Sequence, residues 1–326
     1  IGVQTYSNST GSIINSIINQ GTIEIGNSSS TSNPSVGIYT REALLAENQG
    51  TISVGDKSLG IYSTNVSGMI KLSTGSILNV GSEGTGIFKQ GGNVNLDANS
   101  ILNISAGNTV GVYAEQGTLI LNNTTLNLGD SSFGFVLEGT GTNLISSSSN
   151  MQNLGNDNVY IYSNNNSSVT NNTNVLASGN NNIALYSKDG SAVVNNAIID
   201  MGSGYGNIGI YSEGGSTSAI NNSTIKVGSS NVSTSEYSIG MAASSGSSIN
   251  NIGDIYVTGS NSIGMYGDGI GSSVYNNGNI YLDATGATSL NLKNQMIGIY
   301  LDNGAHGENW GDVKTLSNYA GNTNVN

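Results

Sequence analysis

The segment Asn48-Gln49-Gly50-Thr51-Ile52-Ser53-Val54-Gly55-Asp56-Lys57-Ser58-Leu59-Gly60-Ile61-Tyr62-Ser63 holds two alternating stretches joined by a polar turn. Ile52 and Val54 bracket Ser53, and Leu59 and Ile61 bracket Gly60, so each stretch reads as a strand with one buried face and one wet face. The closing Gly-Ile-Tyr returns roughly every 25 residues. It recurs as Gly37-Ile38-Tyr39, Gly86-Ile87-Phe88, Gly111-Val112-Tyr113, Gly209-Ile210-Tyr211, Gly264-Met265-Tyr266 and Gly298-Ile299-Tyr300. Weaker copies stand at Ile1-Gly2-Val3, Gly134-Phe135-Val136, Tyr160-Ile161-Tyr162, Ala184-Leu185-Tyr186 and Gly240-Met241-Ala242. A fixed period of this length marks a solenoid whose units cannot each bury an apolar face alone.

The Ile52-Ser53-Val54 stretch has copies too, among them Ile23-Glu24-Ile25, Leu102-Asn103-Ile104, Leu126-Asn127-Leu128, Ile225-Lys226-Val227, Ile255-Tyr256-Val257 and Ile280-Tyr281-Leu282. A third segment places Val169, Val194, Ile220, Ile249 and Val274 before the pairs Asn171-Asn172, Asn195-Asn196, Asn221-Asn222, Asn250-Asn251 and Asn276-Asn277. Three short strands joined by Gly, Asn and Ser corners make one turn of a parallel β-helix. The expected architecture is all-β, a single-stranded right-handed parallel β-helix of about twelve coils of ~25 residues, continuous over 1–326. At roughly 4.8 Å per coil the rod is about 55 Å long. The Asn pairs are expected to stack as amide ladders at one corner.

Composition narrows the function. The formal charge is −12, Arg41 is the only arginine, and the lysines are scattered. Nucleic acid is therefore excluded as a partner, because it demands a basic patch. There is no cysteine, hence no disulfide and no thiolate metal site. No apolar run approaches the ~18 residues of a membrane-spanning helix, and no stretch reads as a signal peptide. Both ends fall inside a repeat without a polar cap, as expected of a piece of a longer rod.

Two features are candidates for a functional surface. If the Ile of Gly-Ile-Tyr faces inward, the neighbouring Gly and ring face outward by alternation. Tyr39, Tyr62, Phe88, Tyr113, Tyr162, Tyr186, Tyr211, Tyr266 and Tyr300 then form an outward column, interrupted where Val136 and Ala242 replace the ring. Three coils are also longer at one corner, carrying Ser28 to Pro34, Asn231 to Glu236 and Ala284 to Gln295. Insertions sharing a corner project from one face, which makes Asn231, Glu236, Ser289, Asn291, Lys293 and Gln295 a candidate loop epitope.

Catalysis has little support. Glycoside hydrolysis needs two carboxylates across one bond, whereas Asp56, Glu83, Asp97, Asp130, Asp157 and Asp200 are isolated at turns. Asp254, Asp268, Asp283 and Asp302 in successive C-terminal coils are the one possible acidic patch, and His306 is the only histidine. No catalytic, cofactor-binding or metal-binding residue is assigned.

The repeats Asn48 to Ser63 and Asn251 to Gly269 resemble those of the very large type V autotransporter adhesins, especially the fusobacterial outer-membrane ones. In that family an Asn-x-Gly-x-Ile-x-Val-Gly segment leads into Ser-x-Gly-Ile-Tyr, coil after coil. The resemblance covers nearly the whole chain. It implies a β-helical passenger held at the bacterial cell surface by a C-terminal outer-membrane barrel. It further implies attachment to a host cell-surface protein or glycan, or to partner bacterial cells. The family motif names no binding residue. A polysaccharide-degrading β-helix and a stalk that only spaces another domain are the alternatives.

Overall fold

Each alternating segment becomes a short strand that pairs with its own copy one repeat away. The computed structural model describes residues 2–5, 15–283 and 295–316 of the 326-residue chain. Among them, all strand-to-strand ladders are parallel. Along the first face the partners run Val3, Ile38, Ile61, Ile87, Val112, Phe135, Ile161, Leu185, Ile210, Met241, Met265 and Ile299. Those are twelve layers separated by eleven steps. Typical steps are 23 residues (Ile38 to Ile61) and 26 (Ile61 to Ile87). Three are longer, 35 from Val3, 31 from Ile210 and 34 from Met265. These are the coils that carry the three insertions.

The second face runs from Ile17 through Ala46 and Ile70 to Val274 and Gly307. Two long strands, Val110–Asn122 and Phe133–Ser147, pass round the corner from the first face into the second. The third face is divided. Five strands from Thr22–Ile25 to Thr125–Leu128 form one sheet, and seven from Gln152–Leu154 to Asp312–Thr315 form another. No ladder joins Thr125–Leu128 to Gln152–Leu154.

The inward residues of all three faces merge into one hydrophobic cluster extending from Ile17 to Leu282, with Ile61 and Ile210 fully buried. Each coil completes the burial of the next, which is how a thin solenoid obtains a core. At the second-face corner the inward position carries Asn19 and Asn48, then Leu72, Leu96 and Leu121, then Ser146, then Asn171, Asn195, Asn221, Asn251, Asn276 and Asn309. Each Asn Nδ2 from Asn171 to Asn276 donates to the Oδ1 of the next Asn at 2.7–2.9 Å. Its second hydrogen goes to the backbone carbonyl two residues on, as from Asn221 to Ser223 at 2.7 Å. The amides are buried yet satisfied, which removes the usual penalty of burying them.

Two expectations from alternation fail. The glycine of Gly-Ile-Tyr faces inward, not outward: Gly37 is buried, and a Cβ on it would lie 2.6 Å from Gly60 O and 3.1 Å from Ile52 Cγ2. The chain bends there, so glycine and isoleucine both point into the core. The preceding aliphatic, Leu59 or Ile208, consequently leaves the core for the outer surface. In the Asn strands the core residues are Val193 and Ala219, whereas Val194 and Ile220 face outward. The inward Asn195 and Asn221 fix that choice, two residues beyond the core position.

Candidate functional site

Beyond the bend, alternation resumes. Ile61 points in, Tyr62 out and Ser63 in, with Ser63 buried and Tyr62 half-exposed. Parallel in-register pairing sets the rings one above another. Tyr39 and Tyr62 have centroids 5.3 Å apart, Tyr62 and Phe88 5.1 Å, and Phe88 and Tyr113 5.0 Å. A second run joins Tyr162 to Tyr186 at 5.0 Å and Tyr186 to Tyr211 at 4.9 Å. A third joins Tyr266 to Tyr300 at 5.7 Å. The column breaks where Tyr113 pairs with Val136 and where Tyr211 pairs with Ala242.

The displaced aliphatics widen this column into a strip. Phe133 fills the first break, its ring 6.3 Å from Tyr162. At the second break Ile239, Ala242 and Ile263 form a separate outer cluster with Ile208, Tyr211, Tyr266 and Ile297. Leu59 and its register copies Val110, Phe133, Ile208, Ile263 and Ile297 are strip residues that alternation places in the core. The signal for them was the glycine itself, since a strand that needs glycine at an inward position is bent there.

Two residues beyond each ring lies another outward column. It contains Gln90, Glu115 and Glu138 in register, and further along Lys188, Glu213, Ser244, Asp268 and Asp302. Arg41, Thr64 and Asn164 continue the column, so the strip is bordered on one side by polar groups that include five carboxylates. The Tyr186 hydroxyl donates to Glu213, and Tyr211 Oη lies 2.9 Å from Ser244 Oγ. Burial, with Glu115 and Glu138 nearby, pushes the Tyr113 phenol up to about 12. The Tyr186 phenol is raised by burial and by its bond to Glu213. These hydroxyls are held as neutral donors at neutral pH.

The other candidates separate. Asn231 and Glu236 close the second insertion on itself. Asn231 N donates to Glu236 O at 2.8 Å and Glu236 N to Asn231 O at 3.0 Å. The Glu236 carboxylate also accepts from Thr234 Oγ1 at 2.5 Å, Asn181 Nδ2 at 3.2 Å and Asn231 Nδ2 at 3.3 Å. Its pKa is lowered, chiefly by the Thr234 bond. Both residues thus hold the loop in shape, and the loop's exposed apolar groups are Val232 and Tyr237, which were not singled out. Gln295 is exposed; Ser289, Asn291 and Lys293 lie outside the described residues. The acidic patch does not assemble as a group of four. Asp268 and Asp302 pair in register, but Asp254 is on the third face, accepting from Asn279 Nδ2 at 2.9 Å.

Several charged residues elsewhere are paired with one another. Lys71 Nζ sits 3.4 Å from Glu47 Oε1 and 3.2 Å from Asp97 Oδ2, and Glu47 also accepts from Ser73 Oγ at 2.5 Å. Among the described residues no three His, Cys, Asp or Glu gather as metal ligands. A shallow depression of about 320 Å³ is lined by Asn79, Asn103 and Asn127 over Val54, Val80 and Ile104. A cavity of about 130 Å³ opens at the third-face seam between Phe135, Tyr160, Met151 and Thr173. Neither is lined by an acid, a lysine or a histidine.

The fold and surface define a class: a three-faced parallel β-solenoid carrying an outer apolar strip. The model of the BigA third pectate lyase-like domain matches residues 60–311, most of the chain. The chain belongs to that family and is a pectate lyase-like β-helix domain of a bacterial surface protein. No curated protein and no solved structure matches it.

Proposed function

We propose that this domain is a segment of a bacterial adhesin, a rigid β-helical rod displayed outside the cell that attaches it to host surfaces or to partner bacteria, without catalysis. The observation that carries the reading is the outer strip. Nine half-exposed rings in three stacked runs, with their flanking aliphatics and a polar border that includes five carboxylates, follow one line along the rod, and a contiguous apolar strip on a surface marks a contact site. Family membership supports the extracellular setting, and the repeat pattern agrees with the passenger of a type V autotransporter tethered by an outer-membrane barrel.

A specific observation favours a second reading, polysaccharide cleavage, namely the pectate lyase-like family description. Against it stand the dispersed acids and the absence of charged groups from both cavities. The two readings are separated by coating beads with the purified chain, incubating them with host epithelial cells and with a panel of oral and gut bacteria, and treating polygalacturonate with the same protein in calcium buffer. Bead attachment with no unsaturated uronide released is the expected result. Uronide release without attachment would replace the adhesin by the enzyme.

A further inference from the structure

The chain's only tryptophan and only histidine stand together at the second face, which follows the ring-bearing face in each coil. In the coil below, Tyr275 points outward between the buried Val274 and Asn276. Its register partner in the last described layer is Glu308, with His306 opposite Ser273. Trp310 follows Asn309, whose amide ends the buried ladder by accepting from Asn276 at 2.7 Å. The corner therefore fixes where the indole leaves the rod. The Tyr275 ring lies 6.4 Å from Trp310, with planes inclined at 32°, and 6.2 Å from His306.

This patch differs from the rest of its face. In the outward column that Trp310 occupies, the layers from Asn172 to Asn222 carry asparagines that bond one another, Asn196 to Asn172 at 3.0 Å and Asn222 to Asn196 at 2.9 Å. Past the exposed Ile252 and Asn277, Trp310 places a ring in this column and is 70% exposed, as the asparagines of the column are exposed. Beside it, among the described residues, are acceptor oxygens without a partner. Glu308 Oε1 meets His306 Nε2 at 2.8 Å while Oε2 has no partner among the described residues, and Asn277 donates to Asn250 Oδ1 at 2.8 Å and keeps its own Oδ1 open. Large exposed aromatics beside unspent hydrogen-bonding groups are the makings of a binding site, not of a stabilising contact.

We propose that Trp310, Tyr275, Glu308 and Asn277 form a binding site for an uncharged hexopyranose, presented at the end of a glycan chain. A pyranose has a face of axial C–H groups that covers an aromatic ring, and equatorial hydroxyls that donate to a carboxylate or an amide oxygen. Glu308 and the chain's net charge of −12 discriminate against acidic sugars. A basic peptide is a poorer fit. The cluster holds one carboxylate, already shared with His306, and a bound cation gains most where several carboxylates surround the ring face.

The site rests on the adhesin reading only for its biological use. Because Trp310 is the sole indole, its fluorescence reports this position alone. Titrating the full chain with galactose-, glucose-, mannose- and N-acetylglucosamine-terminated oligosaccharides is expected to give a saturable emission change with at least one, with an affinity on the order of millimolar. Tyr275→Ala and Glu308→Gln are each expected to weaken it about fivefold without moving the melting temperature; a fivefold loss is about 1 kcal/mol. Silence with all four, or a response only to sialylated or uronic sugars or to an arginine-rich peptide, overturns the proposal. Cell attachment that survives Trp310→Ala alongside a silent titration removes the site and leaves the adhesin; sugar binding without cell attachment does the reverse.

Discussion

Lys89 is the residue the fold tolerates least comfortably. It occupies the inward position next to the ring column, stacked between Ser63 and Ala114, and is 1% exposed. Its ammonium donates to Asn65 O. Burial without a carboxylate partner pushes its pKa from 10.5 down to about 8, because desolvation disfavours the charged form. A folded pKa below the unfolded value means the unfolded chain holds the proton more tightly between those limits. The penalty is therefore complete below about pH 8, fades as pH rises toward 10.5 and is gone above it. The fall corresponds to a ceiling of about 3 kcal/mol. Lys89→Met should gain about 2–3 kcal/mol more, relative to the native chain, in urea melts at pH 7 than at pH 10.5. An equal effect at both pH values would mean that the amine is not buried. Nothing in the sequence marked this site, since a lysine between polar neighbours reads as a solvated surface group.

At the scale of the strand ladder, the corner alternates between two solutions, stacked Leu72, Leu96 and Leu121 or stacked asparagines. Within the asparagine run each amide depends on the one above and the one below it. Replacing Asn221 alone by Leu deprives Asn195 of its acceptor, Asn251 of its donor and the Ser223 carbonyl of its partner. We expect a cost of about 2–4 kcal/mol, from buried groups left unpaired. Changing Asn195, Asn221 and Asn251 together to Leu should cost less than three times that in denaturant melts, because the inner pairs vanish together. Strict additivity would show that the amides do not act as a ladder. Stacked Asn pairs were legible in the sequence, because the pair recurs at the repeat period. The orientation of Val194 and Ile220 was not, because two adjacent apolar residues satisfy either register until a neighbouring corner decides. Nor was the inward glycine legible from alternation, which assumes a straight strand; its recurrence at one position was the signal, and the close approach of the Gly37 and Gly60 backbones shows the bend.

As a whole molecule the rod has, among the described residues, one main core and one break in its ladders, on the third face. The repeat announced the solenoid and its three faces, because in-register aliphatics leave no other burial. It did not announce the seam on the third face, where Leu126 is followed in the next layer by the buried but polar Gln152. In a linear array, local stability follows neighbour contacts. Backbone amides of Thr125–Leu128 and Gln152–Leu154 should thus exchange with deuterium faster than those of Ile225–Val227, which pair on both sides. Uniform protection along the third face would remove the seam as a weak point. The ring column, by contrast, was legible in position but not in breadth, since the displaced aliphatics join it only because of the bend.

The most direct measurement of the central claim is attachment by strip variants. Tyr39, Tyr62, Phe88 and Tyr113 changed to Ser, Tyr162, Tyr186 and Tyr211 changed to Ser, and Tyr266 and Tyr300 changed to Ser give three rods, each missing one run of rings. With far-UV circular dichroism confirming that each remains a β-helix, at least one is predicted to attach to target cells more than tenfold more weakly than the native rod. Three folded variants attaching as well as the native chain would contradict the strip as the surface through which this domain acts.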